Sequence, residues 1–419
     1  MLLLFAALLL LCSIADHAPV IRMQASALPT VFIDGEAGTT GLQVHDRLAG
    51  RTDLRLVSLP EAQRKVCSLF TAPREACRNN AGRFHLPFLQ DPAARKEMLN
   101  TSSAVILCLP VSTPPSHPFR PLSMRGALPL LPQDDAAVEA VGMLEPGSST
   151  VVIDASTAFR TAPGWVYGFP ELCPGHAAQI AASKRIANPG CYPTGFIALT
   201  RPLVDAGLLP PTTPLVCHAV SGYSGGGKPL MKIFEQGPHE PWGAYGFNLA
   251  HKHLPEMAFW AHLARAPIFC PSVGDFAQGM VVSVPLHLDL LPPAATPAAL
   301  QAALAAHYAG SEFVSVRPLN DSSSLERGSF LRPDALNGTN RLELFVWGNE
   351  KTKTAWLCAR LDNLGKGKRL VVLWGFCVLE RLTVNSPGRS IRRRGAEPQP
   401  RARPSVVALP RHNLSTIYL

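Results

Sequence analysis

A chain of 419 residues that is 47% hydrophobic can bury a large core and has room for two domains. The formal charge of +9 could suggest nucleic acid, but ten Lys/Arg against two Asp/Glu fall within 368–419, leaving a body near +1. That distribution argues against a nucleic-acid-binding surface, and ten cysteines at irregular spacings show no disulfide framework. The chain opens on an apolar run over 2–11, too short for a membrane span, followed by Ala25-Ser26-Ala27 as an A-x-A cleavage site. No positive charge precedes the run. The expectation for 1–29 is therefore a leader into a plastid, or translation that begins at Met23 in a cytoplasmic protein.

Val31-Phe32-Ile33 predicts a short buried strand, and the residues after it space glycines as G-x-x-G-x-x-G at Gly35, Gly38 and Gly41. A helix with Leu42, Val44 and Leu48 on one side follows. Strand, glycine turn and helix N-terminus form a dinucleotide pyrophosphate site, with Thr39 and Thr40 at the helix start. A second strand over 54–60 ends in Ser58 rather than an acid, and Arg64 and Lys65 come next. Two cations there suit a 2′-phosphate, hence NADP(H); a solvated helix face is their bland alternative.

Asn188-Pro189-Gly190-Cys191-Tyr192-Pro193-Thr194-Gly195 sets one cysteine between a Pro-Gly turn and a segment able to open a helix. Backbone N–H groups and the positive end of that helix would favour a thiolate and could hold an oxyanion. An isolated cysteine is more often a small buried hydrophobe. Cys108, Cys217, Cys270 and Cys358, in apolar runs, are expected to be reduced core residues of that kind. Ser221, Gly222, Ser224, Gly225 and Lys228 lie in a glycine-rich stretch with the composition of a phosphate nest, or of a flexible loop. In Ala250-His251-Lys252-His253-Leu254-Pro255-Glu256, an extended segment would point His251 and His253 into one pocket. A thiol nucleophile needs such a proton partner. No further Cys/His pair stands at ligand spacing, so no metal is expected.

With these stretches go 151–160 (Val-Val-Ile-Asp-Ala-Ser-Thr-Ala-Phe-Arg), 164–172, 271–274, 337–344 and Asp362-Asn363-Leu364-Gly365-Lys366-Gly367. In this order the set resembles N-acetyl-γ-glutamyl-phosphate reductase in its shorter, bacterial-type subgroup, over most of 30–367. The resemblance implies a Cys191 thioester, hydride exchange with NADPH, and His251 or His253 as acid/base, His253 favoured because Pro255-Glu256 fixes its backbone. It also implies Ser156, Asn363 and Gly365 as cofactor contacts, Arg160 as structural, and a homo-oligomer acting on a small acyl phosphate, away from membranes and nucleic acid. Related acyl-phosphate reductases, such as aspartate-semialdehyde dehydrogenase, are the alternative.

The expected architecture is α/β: a doubly wound dinucleotide-binding domain over 30–189 and an α+β catalytic and dimerisation domain over 190–344. Strands over 215–220, 280–286 and 342–347 are expected to share a mixed sheet, with a return to the first domain over 345–367 and a basic, disordered tail over 368–419. Two insertions, 66–90 and the Pro-rich 111–133, interrupt the family pattern. Because the pattern resumes without loss after each, they read as retained intron sequence, or else as surface loops. If translated, they could leave an inactive NADP-binding scaffold.

Overall fold

The computed structural model describes residues 28–36, 38–59, 64–66, 88–109 and 135–366. The expectations for the leader, the Pro-rich insertion, Gly367 and the basic tail fall outside those residues. The first sheet has six strands, all parallel, in the order β2 (Arg55–Val57), β1 (Thr30–Asp34), β5 (Ala104–Leu107), β6 (Val151–Asp154), β8 (Arg185–Ala187) and β7 (Val166–Tyr167).

Burial on both faces explains the unbroken apolar runs of its central strands. On one side Val31, Ile33, Ile106 and Ile153 pack with Val44 and Leu48 of helix α1 (Thr39–Leu48). On the other, Phe32, Val105, Leu107 and Val152 meet Leu99 of α2 (Pro92–Thr101) and Ala137 and Ala140 of α3 (Asp135–Gly142). The chain leaves β1 for β2 on one side and returns to β5 on the other. That reversal is where doubly wound sheets bind ligands.

The first insertion begins and ends on paired strands, β3 (Arg64–Val66) and β4 (Phe88–Gln90), in antiparallel register Val66↔Phe88. The family pattern therefore resumes directly beside the point where it stopped. Residues 67–87 are not among those described.

The second sheet has seven strands and is mixed, as expected. Its order is β10 (Trp242–Ala244), β11 (Ile268–Gly274), β9 (Val216–Gly222), β12 (Met280–His287), β15 (Thr354–Leu361), β14 (Leu342–Asn349) and β13 (Val314–Val316). Only the β11–β9 and β13–β14 pairs are parallel. One face is covered by α5 (Cys191–Asp205), which buries Phe196, Ile197, Leu199 and Leu203, and by α8 (Pro297–His307). The other face leaves Trp356 and Ile268 exposed.

Two expectations are corrected here. The segment 345–361 does not return to the first domain, because it forms most of β14 and β15, whose inner side chains complete the second core. Only the loop after Leu361 comes back, where Arg47 of α1 donates to the Leu364 carbonyl at 2.7 Å. Cys270 is exposed rather than buried, since β11 alternates and turns that side chain to the open face; Cys108, Cys217 and Cys358 are buried. No helix among the described residues is long and apolar enough to cross a membrane.

Candidate active site

The glycine turn follows β1 at the switch point. Gly35 has φ +87°, and a Cβ there would stand 2.6 Å from the Cys108 carbonyl at the end of β5, so only glycine fits. A Cβ on Gly41 would collide with the Gly35 carbonyl. Gly38 is the N-cap of α1; its N–H donates to the Gly35 carbonyl at 2.9 Å and its carbonyl accepts from the Leu42 N–H, so the turn is closed by backbone alone at the helix start. Thr39 and Thr40 are the first residues of that helix. Sequence reasoning missed the brace beneath this turn: buried Arg95 of α2 reaches buried Asp34 at 2.9 and 2.8 Å through Nε and Nη2. An arginine in a helix that also packs on the sheet is the only local signal.

Ser58 lies just beyond β2, and its hydroxyl donates to the Glu36 carboxylate at 2.9 Å. Glu36 in turn lies 3.7 Å from the His45 imidazole. Arg64 and Lys65 sit on β3, and their side chains are outside the described residues. Ser156 follows β6 in a tight turn: its hydroxyl donates to Asp154 at 2.7 Å and accepts from the Ala158 amide. The structure thus uses Ser156 to shape the strand end.

Cys191 is the first residue of α5, as its surroundings predict, with Gly190 as N-cap and the thiol half-buried. Its position places the sulfur where amides and the helix dipole stabilise negative charge. Pro193 brings no N–H to the first turn, and the Thr194 N–H is used on the Gly190 carbonyl at 3.0 Å. Gly190 is enclosed. A Cβ there would fall 2.7 Å from Arg160 Nη1 and 2.9 Å from His253 Nε2. His253 Nε2 therefore lies against the residue that precedes the thiol.

His251 and His253 do share a pocket, with ring centroids 4.7 Å apart, but an extended segment is not the cause. The chain turns there: His253, in helical conformation, caps α7 (Leu254–Trp260), and its N–H donates to His251 Nδ1 at 3.2 Å. Burial, with Lys252 and Arg160 nearby, pushes His251 down to about 4, so its ring is neutral near pH 7. His251 also packs against Tyr192, Tyr245 and Phe269. The Tyr245 hydroxyl donates to Tyr192 at 3.1 Å, and Tyr192 donates to the Ser272 carbonyl. Burial drives the Tyr192 phenol well above its ordinary value.

The glycine-rich stretch leaves β9, passes through a 3-10 turn over Tyr223–Gly226 and enters α6 (Gly227–Gln236), which touches α1. Ser221 is buried beside Tyr192, whereas Gly225 and Lys228 are exposed. Asn363 is buried; it accepts from the Gly279 amide at 2.8 Å and donates to Ser224 at 3.1 Å. Its side chain thus holds the loop that carries Ser221, Gly222 and Ser224. Gly365 follows in the same turn, and buried Lys366 pairs with Glu171 between the rings of Phe169 and Phe313. Among the described residues no group of three His, Cys, Asp or Glu could hold a metal ion.

Comparison with known proteins agrees with this layout. Residues 191–363 match the family description "semialdehyde dehydrogenase, dimerisation domain". An N-acetyl-gamma-glutamyl-phosphate reductase of Burkholderia ambifaria is 46% identical over 344 residues, covering 81% of this chain and 93% of its own. One from Rhizobium etli is 44% identical, covering 81% and 94%. The fold resembles that of aspartate semialdehyde dehydrogenase II from Vibrio cholerae, with a TM-score of 0.53 at 13% identity, over 85% of this chain and 99% of that one. At 44–46% identity across four-fifths of its length, this chain belongs to the N-acetyl-gamma-glutamyl-phosphate reductase family.

Proposed function

We propose that the protein reduces N-acetyl-glutamyl 5-phosphate to N-acetyl-glutamate 5-semialdehyde and phosphate with NADPH, reversibly, as a step of arginine biosynthesis. The observation that carries the reading is the enclosure of Gly190, which sets the Cys191 backbone against His253 Nε2 at the start of α5. Cys191 attacks the acyl phosphate, the C–S bond forms, and phosphate leaves a thioester. His253 takes the thiol proton, gives it to the carbonyl oxygen as the thiohemiacetal forms, and recovers it when the C–S bond breaks and the aldehyde departs. Amides at the start of α5 face the oxygen that gains charge in both additions.

The glycine turn of Gly35, Gly38 and Gly41 fits the pyrophosphate of a dinucleotide, since a Cβ at Gly35 or Gly41 would clash with neighbouring backbone and spoil the tight strand-to-helix turn that such a site needs. NADPH bound there supplies the hydride that reduces the thioester carbon. Arg64 and Lys65 follow β2 and Ser58 in sequence and favour the 2′-phosphorylated cofactor. Asn363 supports the site through the glycine-rich loop it braces, and Gly365 follows in the same turn. Ser221, Gly222, Ser224, Gly225 and Lys228 offer amides, hydroxyls and one ammonium to the substrate phosphate. His251, held neutral, binds rather than transfers a proton. The matched dimerisation domain supports a homo-oligomer, a dimer or tetramer.

A substrate panel under phosphate-dependent aldehyde oxidation tests the reading. Fastest turnover is expected with N-acetyl-glutamate semialdehyde and NADP. Preference for aspartate semialdehyde would assign the chain to the related reaction instead.

A further inference from the structure

Glu256 is a buried carboxylate on α7, one turn beyond His253, and three donors converge on it. Its Oε1 accepts from the Gly190 N–H and from the Tyr167 hydroxyl, each at 2.7 Å. Its Oε2 accepts from Arg160 Nη1 at 2.8 Å. Arg160 is itself buried, and its other donors reach the Asn188 carbonyl at 2.9 Å and the Ala155 carbonyl at 3.3 Å. Trp260, at the end of α7, stacks on Tyr167 and donates to the Arg160 carbonyl at 2.7 Å. One carboxylate thus ties the strand ends of the first sheet to the helix that carries His253 and to the residue before Cys191.

We infer that Glu256, held by Arg160 and Tyr167, is a positioning residue that fixes the Cys191 backbone relative to His253 and balances the Arg160 charge beside them. The inference rests on the assignment of Cys191 and His253 made above. Two features carry it. The Gly190 N–H is directed to Glu256 instead of to the substrate, so the strand-to-helix turn has one orientation. A Cβ on Gly190 would stand 2.7 Å from Arg160 Nη1 and 2.9 Å from His253 Nε2, so both groups flank this residue, and a guanidinium so placed, if unbalanced, would disfavour imidazolium and favour thiolate. The charged and titratable groups around this corner are Asp154, Arg160 and Tyr167 from the first sheet's loops, and Tyr192 of α5. Tyr245, His251, Lys252 and Glu256 complete the set from the second domain.

The test uses the full chain, with kinetics and with the pH dependence of iodoacetamide alkylation at Cys191 as readouts. Glu256→Gln is expected to lower kcat about 10²-fold through misplacement, with the Kd for NADPH unchanged. Loss of the negative charge should also move the alkylation midpoint and the acid limb of kcat/KM to lower pH. Glu256→Asp keeps the charge and should restore both midpoints while kcat stays low. Tyr167→Phe removes one donor and should lower kcat about tenfold, with the midpoints kept. A Glu256→Gln protein with wild-type kcat, or with unmoved midpoints, would overturn the inference. If that variant does not fold, Glu256→Asp or Tyr167→Phe at full kcat would do so. Alkylation does not depend on the substrate, so a wrong substrate assignment would leave this readout intact.

Discussion

The two halves of the site are built in different ways. The proposed cofactor end is made of backbone: Gly35 and Gly41 let the chain turn tightly at a strand end, and Arg95 braces that turn through Asp34. The catalytic corner is made of buried side chains, with Arg160, Tyr167, His253 and Glu256 packed around Gly190. A backbone cradle tolerates change in what surrounds it, because shape is its main demand. A buried polar network does not, because each lost partner leaves another group desolvated and unpaired. Substitutions should therefore cost most at the catalytic corner, and the cofactor end should answer in affinity or stability.

The largest effect is expected from His253→Asn, which should lower kcat by about 10²–10⁴-fold with KM nearly unchanged, as for a lost general acid/base. His251→Asn should instead raise KM. Steady-state kinetics on both variants separates the roles, and a reversed pattern would exchange them. At the cofactor end, Arg95→Ala would leave the Asp34 carboxylate buried without its guanidinium, costing about 3–5 kcal/mol of stability. Urea unfolding measures this, and a loss under 1 kcal/mol would show the brace to be incidental.

Both regions were partly legible in the sequence, for physical reasons that differ. The place of Cys191 at a helix start and the glycine turn could be read because both are local: each needs only consecutive residues. Arg95, Arg160, Tyr167 and Glu256 depend on which charges the two sheets bury together, and no spacing reports that. The one clue was that Glu256 stands alone in the otherwise apolar 254–260. The His251 and His253 pocket was foreseen, but a helix start rather than strand alternation makes it. Ser156 and Asn363 were expected to meet the cofactor, and no spacing announced that their side chains also hold turns. Loop residues that can bond a ligand can equally bond their own backbone.

Smaller effects sharpen the cofactor end. Arg64→Ala with Lys65→Ala should weaken NADPH binding by roughly 1.5–3 kcal/mol per phosphate contact and leave NADH little changed. Equal losses for both cofactors would make these side chains merely structural. Glu36, on the Ser58 hydroxyl, sets a negative charge beside the strand end where the proposed NADP(H) site would take a 2′-phosphate. Glu36→Gln should therefore tighten NADPH by about fivefold, the worth of about 1 kcal/mol between partly exposed charges. Tighter NADH instead, measured by fluorescence titration, would contradict the NADP assignment.

A last prediction concerns pH. His251 titrates near 4 in the folded chain against an ordinary 6.5, so between those values the unfolded chain binds the extra proton. Stability from this residue is complete above about 6.5 and falls as pH drops towards 4. Compared with the wild type, His251→Asn should show a shallower loss of stability across that window in denaturant titrations. Parallel curves would mean that His251 is not held neutral by its surroundings.

The most direct test of the central claim is intact-protein and peptide mass spectrometry after mixing the enzyme with N-acetyl-glutamate semialdehyde and NADP in the absence of phosphate. The account predicts an N-acetylglutamyl adduct on the peptide bearing Cys191 that phosphate discharges, and none in Cys191→Ser. An adduct elsewhere, or turnover by the serine variant at even a tenth of the wild-type rate, would contradict it.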